Sequence, residues 1–191
     1  ELVERARHDV RDLEPSESTL ELEVHVAREG GEEARETWLL VQRMDGGRAK
    51  QFCADPKLEV HGMQPVPWGG IAARLGGGAV AGRPYCLLPL PVETGLPVHA
   101  NGFFELSSNR RDIWFGDDML GAGKLRSEWN TCLLHEVVAP AYVQLLVLAR
   151  RLALGAGARA YYALWPQRRP AEPWGGAVGA TYRLLLGQPV V

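Results

Sequence analysis

The sequence predicts an α+β domain, a mixed β-sheet with helices mainly on one face. Three observations predict it. Thr19 to Val26 alternates, with Leu20, Leu22, Val24 and Val26 on one side and Glu21, Glu23 and His25 on the other. Short apolar runs bounded by Gly and Pro recur from Thr37 to Leu106, at strand length rather than helix length. From Ser127 the spacing changes to a helical one through Trp129, Leu133, Leu134, Val137, Val138, Tyr142, Leu145, Leu146 and Leu148.

Each element has its own signal. Leu2, Val3, Ala6, Val10 and Leu13 suit an amphipathic helix over residues 1 to 14, stopped by Pro15-Ser16. Residues 1–17 are taken as an N-terminal segment, readable as the tail of a preceding domain, and 18–191 as a single α+β domain. The strand at 19–26 is expected to be half-buried, with one wet face. The loop Arg28 to Arg35 turns it back onto Thr37 to Val41, an antiparallel partner. Residues 48 to 65 are weakly patterned and expected to be loop with at most one helical turn. Ile71 to Leu75 is a short strand. Tyr85 to Leu90 and Val98 to Leu106 bring the sheet to about five or six strands. Asn101-Gly102 lies between apolar residues, and both types tolerate the positive φ of a type I′ turn, so a hairpin is expected there. Ser127 is the expected N-cap of the long helix. Pro140 should kink it, and Gly155-Ala156-Gly157 should end it. Val178 to Leu186 reads as a last short helix.

Composition narrows the class. With 191 residues, 46% apolar and 23% charged, the chain is large enough for a full core and ordinary in make-up. The start at Glu1, without Met, reads as a fragment of something longer. A formal charge of −2 gives no reason to expect nucleic acid. Residues 1 to 36 hold 12 acids against 5 bases, a net of −7, read as a solvated acidic edge. No uninterrupted apolar run of about 18 residues exists, so no membrane span is expected. Cys53, Cys86 and Cys132 are far apart and read as buried free thiols of a reducing compartment. Trp114 and Trp129 are expected in the core. Trp68 and Trp174, each beside two glycines, are expected to be exposed.

Several chemistries fail on spacing. Gly121-Ala122-Gly123-Lys124 lacks the upstream Gly of a P-loop, because Asp118 stands there, and Leu125 replaces the Ser or Thr after the Lys. His135-Glu136 lacks the second His of a zinc-protease helix. No Gly-x-Ser-x-Gly elbow occurs. The five His and three Cys show no metal-ligand spacing, and Asp117-Asp118 reads as a solvated pair, so no metal and no catalytic residue is assigned.

The positive candidate is the polar cluster Ser107-Ser108-Asn109-Arg110-Arg111-Asp112. Guanidinium groups stay charged and bond phosphate oxygens in pairs. The plain alternative is that one Arg pairs with Asp112 or a nearby acid and the other is solvated.

The stretch LPLPVETGLPVHANGFFELSSNRRDIW, residues 88 to 114, resembles the sacsin family of very large proteins with repeated Hsp90-like ATPase modules. The resemblance extends to Pro67-Trp68-Gly69-Gly70, Trp129-Asn130 and Tyr161 to Pro166, and covers roughly residues 37 to 186. Residues 1 to 36 are assigned by position only. The resemblance implies a domain similar to the second (S5 domain 2-like) domain of Hsp90, MutL and gyrase-type ATPases. In such proteins this domain presents a basic residue to the nucleotide of its neighbour. Within Asn109-Arg110-Arg111, Arg110 or Arg111 is therefore expected to sense that nucleotide, with Lys124 as a weaker candidate. ATP and Mg are expected in the adjacent domain and no cofactor in this one. The resemblance further implies a non-catalytic part of a cytoplasmic chaperone. Its expected partners are the adjacent ATP-binding domain and client or co-chaperone proteins, with no nucleic acid and no membrane. The competing reading is a passive protein–protein interaction module that never touches nucleotide.

Overall fold

Six strands form one sheet: β1 (Ser16–Ala27), β2 (Glu33–Met44), β3 (Trp68–Leu75), β4 (Pro84–Cys86), β5 (Leu88–Pro89) and β6 (His99–Gly102). Their order across the sheet is β1-β2-β3-β6-β4-β5. All neighbours are antiparallel except β4 and β6, which run parallel, so the sheet is mixed as expected. The computed structural model describes residues 14–27, 33–116, 120–153 and 158–188. The expected helix over 1 to 14 (save its last residue), the Asp117-Asp118 pair and the Gly155-Ala156-Gly157 stop lie outside the described residues.

The helices are α1 (Arg48–Cys53), α2 (Pro56–Val60), α3 (Ala122–Leu133), α4 (Ala139–Ala153), α5 (Ala158–Tyr162) and α6 (Trp174–Leu185). A π-helical turn, Leu134–Val138, joins α3 to α4. Alternate residues of the sheet face this layer: Leu39 and Val41 of β2, Ile71 and Ala73 of β3, and Ala100 of β6 are all buried against Leu133, Leu134, Val137, Val138, Leu145 and Leu146. By length and mean hydropathy the run Ala122–Leu152 could cross a membrane, but most of its apolar window is buried inside this core.

The opposite face of the sheet carries no helix among the described residues. The register Leu20↔Leu40 and Leu22↔Trp38 puts the apolar side of β1 on that open face. Leu20, Leu22 and Val24 are consequently exposed, 46%, 42% and 38%. The alternation in β1 predicts one buried side, but the helical layer packs mainly on β2, β3 and β6 and leaves these side chains exposed.

Four other expectations are corrected. Asn101-Gly102 is not a turn. Both residues lie in β6 and pair with Gly70 and Gly69 of β3. The glycine serves close packing: a Cβ on Gly102 would stand 3.0 Å from Leu133 Cδ2 and 3.2 Å from the Phe104 ring. Residues 48 to 60 form two short helices rather than a loop. Asp55 caps α2 by accepting the Lys57 N–H at 2.9 Å, and Pro56 occupies the first turn. Ser127 does not begin the long helix, which starts at Ala122; its hydroxyl is spent on Gly116. Trp68 and Trp174 are buried, because their neighbouring glycines let other elements approach rather than open the site to water. Trp129 is fully buried and Trp114 half-buried. The break caused by Pro140 takes the form of the π turn, in which the Ala139 N–H reaches the Leu134 carbonyl.

Candidate functional site

The arginine pair sits at the tip of a tight turn. Its two arms are short extended segments joined by the antiparallel bridge Leu106↔Ile113. The Trp114 N–H donates to the Glu105 carbonyl at 2.8 Å, and the Ser107 N–H to the Asp112 carbonyl at 2.9 Å. Local sequence dictates the tip. The Ser107 hydroxyl donates to Asn109 Oδ1 at 2.8 Å and accepts the Asp112 N–H at 3.2 Å. Asn109 Oδ1 also accepts the Arg111 N–H at 3.0 Å, a side-chain turn typical of Asn. The Arg110 N–H closes on the Ser107 carbonyl at 2.8 Å. This network holds Arg110 at φ 53°, in the left-handed region that costs a non-glycine residue about 1–2 kcal/mol.

Arg110 and Arg111 are both exposed. Neither guanidinium makes an ion pair or hydrogen bond with a described residue. Asp112, the expected local partner, instead turns its carboxylate onto the Ile113 N–H at 2.8 Å. Arg110 lies near enough to Cys86 to be felt there: burial pushes the Cys86 thiol up, and the Arg110 charge opposes that. Lys124 belongs to a different surface. It pairs with Glu128 at 3.8 Å on the side of α3 that faces α1, along a cleft of about 640 Å³. Asn109 shapes the turn through its oxygen rather than pointing it outward.

The turn is anchored from below by α3, and sequence reasoning missed the anchor. Asn130 is fully buried. Its Oδ1 accepts the Glu105 N–H at 2.8 Å, and its Nδ2 donates to the Glu105 and Trp114 carbonyls at 2.7 and 2.8 Å. One side chain thus ties both arms to the helix. One turn earlier, Arg126 reaches Glu105 at 3.4 Å and lies over the Trp114 ring, 5.5 Å from its centroid. Burial raises the Glu105 carboxyl above its usual value, and Arg126 pulls it back. Trp129 Nε1 donates to the Phe103 carbonyl at 2.8 Å. The sequence signal for this anchor was the pair Trp129-Asn130 itself, a polar amide inside an apolar helical stripe.

No protein-family model matches the chain, and no solved structure does. Among curated proteins it is similar to human sacsin, 36% identical over 140 residues. That match takes in 68% of this chain. The chain belongs to the sacsin family. It spans about 3% of the length of the sacsin it matches. For a sacsin-family chain the described residues hold no group of three or more His, Cys, Asp or Glu side chains able to bind a metal. What they do hold is a cationic turn on a rigid base.

Proposed function

We propose that this sacsin-family chain acts as an Hsp90 middle-domain-like module. In this reading its fold corresponds to the second domain of Hsp90, MutL and gyrase-type ATPases. It senses the nucleotide held by an adjacent ATP-binding domain and passes the change of state onward. Arg110 or Arg111 makes the contact, and Ser107, Asn109 and Asn130 position the turn. The observation that carries this reading is the pairing of a rigid turn with two guanidiniums that have no described partner. A passive scaffold would leave such cations in local ion pairs at no cost. Holding Arg110 in the left-handed region is a stability cost of about 1–2 kcal/mol, and the buried Asn130 amide ties both arms of the turn to α3.

The chemistry fits a phosphate. An Arg fork presents two parallel N–H donors to oxygen, and in a water-poor domain junction such bonds are stronger than in solvent. ATP and Mg belong to the neighbouring domain in this reading, and the module supplies charge, not a base or nucleophile. The parent protein is accordingly a cytoplasmic chaperone, with client or co-chaperone proteins as further partners.

The test is ATP turnover by a protein that contains both domains, with Arg110→Ala, Arg111→Ala and the double variant. If the contact acts on the transition state, turnover falls by about 10³-fold or more. If it only biases domain closure, the loss stays within roughly 5- to 150-fold. Lys at the responsible position keeps the charge, loses the fork and restores part of the rate. Wild-type turnover in all three folded variants would overturn the reading and leave the passive module.

A further inference from the structure

A second cationic site is built from His135 of the π turn, the loop at residues 167–169 and α6, residues that the arginine turn does not use. A cleft of about 560 Å³ opens between the start of α6 and the loop before it. Its walls include His135, Arg168, Arg169, Tyr182 and Arg183, and Gly176 forms part of the floor. The sequence Arg168-Arg169 followed by the Gly175-Gly176 pair and Gly179 explains the shape. A Cβ on Gly176 would stand 3.0 Å from His135 Nε2, and one on Gly175 would stand 3.1 Å from Arg169 Nε. Glycine at these positions lets the imidazole and a guanidinium lie against the helix backbone. His135 reaches the cleft because it sits in the π turn, a distortion that recurs at functional sites.

The charge in the cleft is unbalanced. Glu136, next to His135, is paired with Arg48, and Glu172 lies beside the three arginines with both its oxygens engaged. One accepts from Arg169 at 2.9 Å and the other from the Gly176 N–H at 2.8 Å. Arg168 and Arg183 make no ion pair or hydrogen bond with a described residue. Three guanidiniums against one carboxylate leave a net of +2, which complements the charge of about −1.5 to −2 on a phosphate monoester at neutral pH. A carboxylate ligand would occupy one fork. A tetrahedral oxyanion can accept from several directions at once, which suits arginines arriving from the loop and from α6.

We propose that this cleft binds a phosphate group, supplied either free or as a monoester on a peptide. The site is independent of the nucleotide reading above, because no residue is shared between them. The test is calorimetric titration of the 191-residue chain with inorganic phosphate, with a phosphoserine peptide and with the same peptide unphosphorylated. Phosphate and the phosphopeptide bind saturably, and the unphosphorylated peptide does not. Arg168→Ala and Arg183→Ala each weaken binding by about tenfold or more, the loss expected for a charge-assisted hydrogen bond. Both side chains are exposed, so the variants keep the wild-type melting temperature. The Lys variants bind with intermediate affinity. Tighter binding of the phosphopeptide than of phosphate assigns the natural source to a peptide, and equal affinity assigns it to the free anion. Absence of saturable binding to either probe, affinity unchanged in the Arg168→Ala/Arg183→Ala double variant, or equal binding of both peptides would overturn the assignment.

Discussion

Asn130→Ala is the perturbation that bears hardest on how the arginine turn is held. Asn130 is fully buried and makes three hydrogen bonds, all to backbone groups of the two arms. Their net contribution is about 1 kcal/mol each, or about 3 kcal/mol together. Truncation also leaves the Glu105 N–H and the Trp114 carbonyl without their Asn130 partner, whereas the Glu105 carbonyl keeps the Trp114 N–H, and an unsatisfied buried group costs about 1–3 kcal/mol. A loss of about 3–5 kcal/mol follows, allowing for partial relaxation of the arms. Urea denaturation followed by Trp fluorescence measures it. With a slope of about 2–3 kcal/mol per molar, the midpoint should fall by roughly 1–2 M. Asn130→Asp should be no better, since an oxygen would replace Nδ2 opposite two carbonyls. A loss under about 1 kcal/mol for Asn130→Ala would show that the arms are held by something else, and the rigid-base argument would fail.

Four further outcomes follow from named residues. Arg110→Gly removes the guanidinium while relieving a φ of 53°, so stability measured in urea should hold or rise by up to about 1 kcal/mol; a clear loss would mean that Arg110 has a structural role. Gly102→Ala should destabilise by about 1–3 kcal/mol, because its Cβ would meet Leu133 and Phe104 in the core, and a neutral result would contradict the strand assignment. Burial raises the Cys53 thiol to about 12 and the Cys132 thiol to about 11. Both should therefore react with iodoacetamide at pH 8 far more slowly in the folded chain than in urea. These folded values lie above the unfolded value of about 8.5, so the unfolded chain releases the protons first. Stability should fall as pH rises from about 8.5 to about 12, and Cys53→Ser with Cys132→Ser should flatten that fall.

The sheet and the long helix were legible because their patterns are periodic and long. Leu39, Val41, Ile71 and Ala73 alternate into the core, and Trp129 to Leu148 keeps a helical stripe. The misreadings share a physical cause. Asn101-Gly102 looks like a turn locally, but its glycine answers to Leu133 and Phe104, which approach from elsewhere in the chain. Ser127 looks like a cap, yet its hydroxyl is claimed by Gly116. The helices Arg48–Cys53 and Pro56–Val60 are too short to display a period, although Asp55-Pro56 carried a readable start signal. At the candidate site the composition of residues 107 to 112 marked a polar loop. It did not reveal that the Asn109 oxygen is spent on the turn itself, that Asp112 is taken up by backbone, or that Asn130 is the anchor. Those are long-range or geometric facts that no local pattern encodes.

The most direct measurement is a structure of the parent two-domain unit closed on a non-hydrolysable ATP analogue with Mg. The account predicts a guanidinium nitrogen of Arg110 or Arg111 within about 3 Å of a phosphate oxygen, with the Ser107–Asp112 turn keeping its conformation. A closed, nucleotide-bound state in which both guanidiniums remain in solvent, away from the phosphates, would contradict it.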